Sequence, residues 1–153
     1  MKWVTRERPK IDRIACPWLI ARFVDEAAEF LFVAADQVHV QAAASGVIPY
    51  DVPGVELTHV GPLCSFDAIL EKYALDDPCL HDLAVIVRGA DTARLDLAPQ
   101  CAGLLAISLG LSQNFTNDHD QLRHGGIIYD ALYSWLKHAR QEQHDWNPQR
   151  HNE

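Results

Sequence analysis

Between Asp51 and Asp67 the chain reads DVPGVELTHVGPLCSFD, which places Glu56, His59, Cys64 and Asp67 in a segment broken by Pro53, Gly54, Gly61 and Pro62. Carboxylate, imidazole and thiolate are the side chains that ligate Zn, Fe or Mn. Irregular chain carried on a rigid scaffold is also where binding groups concentrate. The stretch does not complete a metal site alone. Glu56 and His59 are three residues apart, so in extended chain they point to opposite faces unless a turn intervenes. It supplies two ligands at most, and the remainder must come from elsewhere in the fold.

Three polar residues fall on faces that the apolar pattern predicts to be buried. Asp91 continues the stripe Leu80, Leu83, Val87 by one more helical step, His124 precedes Ile128 by four, and Asp130 lies one residue off that second face. A buried carboxylate or imidazole is costly without a partner, so a set of Glu56, His59, Asp91 and His124 is expected to hold Zn, Fe or Mn. The bland alternatives stand beside it. Asp91 sits in RGAD and can cap the next helix or pair with Arg88 or Arg94. A single inward histidine is more often a satisfied core residue than a ligand, and Asp67 suits the N-terminus of its own helix through the dipole.

Two thiols are candidates for redox chemistry. Cys64 shares the loop with His59, and Cys16 precedes Pro17, where a helix N-terminus would favour its thiolate with help from Arg13 and Arg22. The competing reading of Cys16 is a small buried side chain. Arg13, Arg22 and Arg88, together with Arg6, lie near the same elements, and guanidinium groups bind oxyanions through paired hydrogen bonds. An oxyanion pocket built from them is indistinguishable in sequence from ordinary pairing with Asp and Glu.

The elements that must position these groups are α+β in pattern. Lys2–Arg6 alternates as a strand, a helix with its regular part near Pro17 follows, and Glu29–Ala34 is a short apolar strand, which together make a β-α-β opening. Asp36 is expected to cap a short alanine-rich helix ending at Gly46, and residues 47–60 to return to extended chain. From Ser65 onward the sequence is helical, with starts at Ser65, at Asp77-Pro78, at Pro99 and near Asn117. The last helix is expected to reach Gln143 with Ile127, Ile128, Ala131, Leu132 and Trp135 facing inward. A small N-terminal sheet thus packs on a C-terminal helical cluster. Residues 2–143 make one domain and 144–153 a polar flexible tail.

The 153 residues, 48% hydrophobic and 22% charged, are ordinary globular composition,. A net charge of −8 argues against a nucleic-acid-binding face,. No apolar run approaches the roughly 18 residues that span a bilayer, and MKWVTRERPKIDR has no signal-peptide core. The expected location is therefore the cytoplasm, where Cys16, Cys64, Cys79 and Cys101 are thiols. Homo-oligomerisation stays open.

Four segments, WVTRERPKIDRIACPWLIARFVD, DVPGVELTHVGPLCSFDAILEKY, IVRGADTARLDLAP and HGGIIYDALY, together resemble the chromate-resistance family, specifically the ChrB C-terminal domain. The resemblance covers about Lys2 to His138. It implies a role in chromate resistance, often as a chromate-responsive regulator whose DNA-binding part is a separate segment. It brings no agreed catalytic set, so Asp12, Arg13, Trp18, Arg22, Glu56, His59, Cys64 and Asp91 are candidates by position only. Two functions compete. One is a metal- or chromate-binding sensor module. The other is a redox enzyme working through a metal or through Cys64 or Cys16, which would need an electron donor that the sequence does not reveal.

Overall fold

The computed structural model describes residues 1–151, and its architecture is α+β. Three parallel strands, β1 (Lys2–Arg6), β2 (Glu29–Val33) and β3 (Val47–Pro49), form a sheet in the order β2-β1-β3, with Trp3 opposite both Phe30 and Ile48. The central strand is buried at Trp3, Val4 and Thr5 in succession, as expected where both faces of a parallel strand are covered. Trp3 enters the main core among the helices, whereas Val4 packs on the other face with Val38 and Val52. Among the described residues no helix is long and apolar enough to cross a membrane.

Six α-helices follow or flank the strands: α1 (Asp12–Phe23), α2 (Val38–Ala42), α3 (Ser65–Lys72), α4 (Pro78–Asp91), α5 (Cys101–Asn114) and α6 (Asp118–Ser134). Their starts follow side-chain chemistry at several points. Asp77 accepts from the Cys79 amide ahead of Pro78, and Asn117 accepts from the Asp120 amide, two caps of the favoured kind. At α3 the Asp67 carboxylate reaches back to the Cys64 amide and thiol.

Several sequence expectations are corrected. α1 starts at Asp12, not near Pro17, and carries Pro17 in its second turn. A proline there removes one backbone hydrogen bond, which costs about 3 kcal/mol in a helix interior. Burial of Ile14, Ala15, Cys16, Trp18, Leu19 and Ile20 outweighs it, since each large apolar side chain contributes roughly 1.5–3 kcal/mol. Asp36 lies within a 3-10 turn, Ala35–Gln37, with no side-chain cap. The expected extended segment 47–60 is a strand only at Val47–Pro49. Beyond it the chain turns, with isolated bridges Tyr50–Leu57 and Val60–Leu63.

The last helix differs most. Its α-helical part ends at Ser134 and one π turn, Trp135–Ala139, closes it. Its buried row is Gln121, Gly125, Tyr129 and Tyr133, while Ile127 is 60% exposed. A Cβ on Gly125 would stand 2.6 Å from Ile14 Cγ2, so glycine is what lets α6 close on α1. Gln121 Nε2 donates to the Pro9 carbonyl at 2.7 Å and Tyr129 OH to the Ile11 carbonyl at 2.9 Å. Ile128, Leu132 and Trp135 of the expected row are partly buried against the core, so close approach and hydrogen bonds shift the phase of this helix away from its apolar row without reversing it. Pro148–His151 forms a short 3-10 turn, and residues 152–153 of the expected tail lie outside the described residues.

Candidate metal centre

The order β2-β1-β3 sends the chain to one side of β1 through α1 and to the other side at β3. In open parallel sheets the crevice beyond the carboxyl ends of two such strands is where ligands bind. Here a cleft of about 470 Å³ opens at that place, with Arg6 at the end of β1, Lys10 and Arg13 around the start of α1, Asp51 just past β3, and His59 and Asp91 opposite. His59 Nε2 lies 3.1 Å from Asp91 Oδ2, 3.3 Å from Asp51 Oδ1 and 3.7 Å from Asp12 Oδ2.

Each carboxylate is set by a different element. Asp12, the first residue of α1, is fully buried. Its Oδ2 accepts from the Ser65 amide at 2.7 Å, and its Oδ1 from the Phe66 amide at 3.1 Å and the Cys16 thiol at 3.2 Å. These are the free N–H groups of the α3 N-terminus, a natural seat for an anion. Burial, and then the neighbouring Asp91 and Asp51, hold the Asp12 carboxyl well above the usual carboxylate range. Asp91 ends α4 and is pushed up by burial and by Asp51, against the opposing pull of His59 and the Asp12 backbone N–H. Asp51 Oδ1 accepts from the Ser65 hydroxyl at 2.8 Å, and its Oδ2 meets Arg6 at 3.2 Å and Arg13 Nε at 3.5 Å. Burial and the adjacent Arg6 lower the Arg13 pKa, and the remaining Arg13 contacts run to the carbonyls of Arg6, Glu7 and Arg8.

Backbone strain gathers here as well. Arg8, Ile11 and Asp51 have φ of 55°, 45° and 54°. Ile11 is β-branched, for which a positive φ is a true outlier. Strain of this kind persists where surrounding structure over-determines it, often at functional sites.

The donors fit a divalent cation. An imidazole nitrogen carries one N–H and can satisfy one acceptor, yet three carboxylate oxygens face this one. One atom each from Asp12, His59 and Asp91 lie within 4.8 Å of one another. Donors bound at about 2.1 Å to a common ion sit roughly 3–3.4 Å apart, so small side-chain movements close the set. One imidazole with two carboxylates suits Zn, Fe or Mn, and two negative charges match a divalent ion.

Of the residues proposed from sequence, His59 and Asp91 are brought together here. Glu56 is 68% exposed and pairs with Lys72 at 2.7 Å. His124 is exposed and stacks on Phe115, 4.5 Å between ring centroids, because the α6 face turned inward is that of Gly125. Arg13 lines the cleft, whereas Arg22 pairs with Asp130 at 2.5 Å and Arg88 with Asp67 at 2.7 Å. Cys16 is not at a helix terminus. It is buried in α1, where burial and Asp12 push its thiol well up; burial and Asp12 also raise Cys64. Asp12 was a candidate only by its position in the family resemblance, and Asp51, whose Oδ1 lies 3.3 Å from His59 Nε2, was not among the candidates. Only the docking of α3 and the turn after β3 bring both to His59.

The family described as ChrB, C-terminal domain, matches residues 3–136. The chain is 31% identical over 140 residues to Protein ChrB of Cupriavidus metallidurans, an alignment covering 91% of this chain and 42% of that protein. The chain therefore spans less than half the length of that relative. No solved structure matches it.

Proposed function

This chain belongs to the ChrB, C-terminal domain family, and we propose that it serves chromate resistance as a metal-binding, sensor-type module. The observation that carries the reading is the convergence of Asp12, His59 and Asp91 donors within 4.8 Å at the carboxyl edge of the sheet. Zn, Fe or Mn would be held by these three side chains, acting as a Lewis acid or charge centre for whatever enters the cleft. Asp51 stands 3.3 Å from the same imidazole and orients it through the Ser65 hydroxyl and the two guanidinium groups it also touches. The α3 amides keep Asp12 aimed at the site.

The alternative, reduction of chromate by thiols, draws no support from the cysteines. Cys16 and Cys64 are buried with raised pKa values, so the reactive thiolate is disfavoured at both.

Elemental analysis of the purified protein tests the metal reading. Near-stoichiometric Zn, Fe or Mn is expected, and His59→Ala should lose it while keeping its fold by circular dichroism. Wild-type protein that takes up none of the three ions on equilibrium dialysis overturns the reading.

A further inference from the structure

The same cleft also holds cations. Arg6, Lys10 and Arg13 line it together with Asp51, His59 and Asp91, and the buried Asp12 offers an oxygen to the same cluster. Without an added ion, three cations stand against three carboxylates. The pairing is uneven. Arg6 and Arg13 share the single Asp51 carboxylate, and the Arg6 Nε is buried with no hydrogen-bond partner. Lys10 is exposed at the mouth and forms no ion pair among the described residues. A divalent cation on Asp12, His59 and Asp91 would leave the cleft with an excess of about two positive charges in a semi-enclosed volume, where field lines are focused. About 470 Å³ is room for many waters at roughly 30 Å³ each, so a small ion fits beside the metal.

Resting on the metal reading, we propose that the loaded site binds a small tetrahedral dianion against Lys10 and Arg6, and that metal and dianion bind cooperatively. The metal draws the dianion by removing the carboxylates' opposing charge, and the dianion in turn screens the cleft's cations from the metal. Asp51 is the shared element. An anion that engages Arg6 relaxes the hold of that guanidinium on Asp51 Oδ2, and Asp51 Oδ1 already lies 3.3 Å from His59 Nε2. Coupling between two binding events is reciprocal, so either ligand reports the other. A module of this kind responds more strongly to an oxyanion when charged with metal.

Calorimetric titration with Mn²⁺ and sulfate as probes tests the coupling. Mn²⁺ affinity should rise by roughly 5- to 150-fold, the usual span of allosteric coupling, when chloride is replaced by sulfate at equal ionic strength. Sulfate should bind saturably to Mn²⁺-loaded protein, and more weakly by the same factor to the metal-free protein. Lys10→Gln should reduce the enhancement while Mn²⁺ affinity in chloride is kept or rises, because a cation that opposes the metal is removed. Mn²⁺ uptake that is indifferent to sulfate, or a Lys10→Gln variant with the full enhancement, overturns the coupling and leaves the metal reading intact. Uptake of none of Zn²⁺, Fe²⁺ and Mn²⁺, in chloride or in sulfate, overturns both.

Discussion

Two polar assemblies flank the N-terminus of α3, and they differ in how their charges are matched. On one side Asp67 takes the Cys64 amide and thiol on Oδ2 and Arg88 on Oδ1. Every acceptor has a donor, and one carboxylate meets one guanidinium. On the other side Asp12, Asp51 and Asp91 converge on a single imidazole nitrogen, and Asp12 and Asp91 are pushed upward by burial and by neighbouring carboxylates, Asp51 in both cases. The first arrangement is complete as it stands and fixes a helix end. The second is a set of ligands crowded together, which a cation would relieve. Both drew notice in the sequence for the same residue types, so residue type is a weaker guide to a site than local charge balance.

The largest effect is expected at Asp12. Asp12→Ala strips the acceptor from the Ser65 and Phe66 amides, and each buried donor left unmatched costs about 1–3 kcal/mol. A loss of roughly 2–6 kcal/mol in denaturant unfolding is expected, with metal uptake lost as well. Arg88→Met on the other side should cost about 1–3 kcal/mol, through the carboxylate it leaves unpaired. Its metal content should equal that of wild type. If Arg88→Met lost its metal, the two assemblies would not be independent.

A subtler contrast lies in pH. The folded-state pKa values of Asp12 and Asp91 are raised above the ordinary 3.8, so between the unfolded and folded values the folded protein binds more protons. Their contribution to stability is then full below the ordinary value and is lost as pH rises through the raised ones. Metal-free Asp91→Asn protein should gain stability relative to metal-free wild type on going from about pH 4 to about pH 7, measured by urea unfolding. A gap that shrinks with pH would contradict the crowding. The smallest effects belong to the residues outside the cleft. Glu56→Gln and His124→Ala should keep wild-type metal content, and Glu56→Gln should leave the melting temperature unmoved, as an exposed ion pair contributes little.

Much of the fold was legible because local signals and tertiary demands agreed. The alternation of Lys2–Arg6, the Asp77-Pro78 start and the Asn117 cap each became the element they announced. The signals failed where packing overrode them. Pro17 suggested a helix start, yet the buried turn before it holds. Ile128, Leu132 and Trp135 of the expected apolar row do pack against the core, but the fully buried row of α6 is offset from it, because Gly125 admits Ile14 and an inward Gln121 finds a carbonyl. The same misreading carried His124 into the expected ligand set. His59 and Asp91 were found from a loop composition and a helical stripe. Asp12 entered only by its position in the family resemblance and Asp51 not at all, since a carboxylate that seats against a helix more than fifty residues away has no local mark.

That last arrangement has a bearing on how the chain acquires its native state. Asp12 meets the Ser65 and Phe66 amides across sequence separations of 53 and 54 residues, so the contact forms only after a long loop has closed. The Ser65 and Phe66 amides are therefore sentinels for completed assembly. In hydrogen-exchange experiments they should open only with global unfolding, and a ligand bound to the finished cleft should slow their exchange by the full factor it adds to stability.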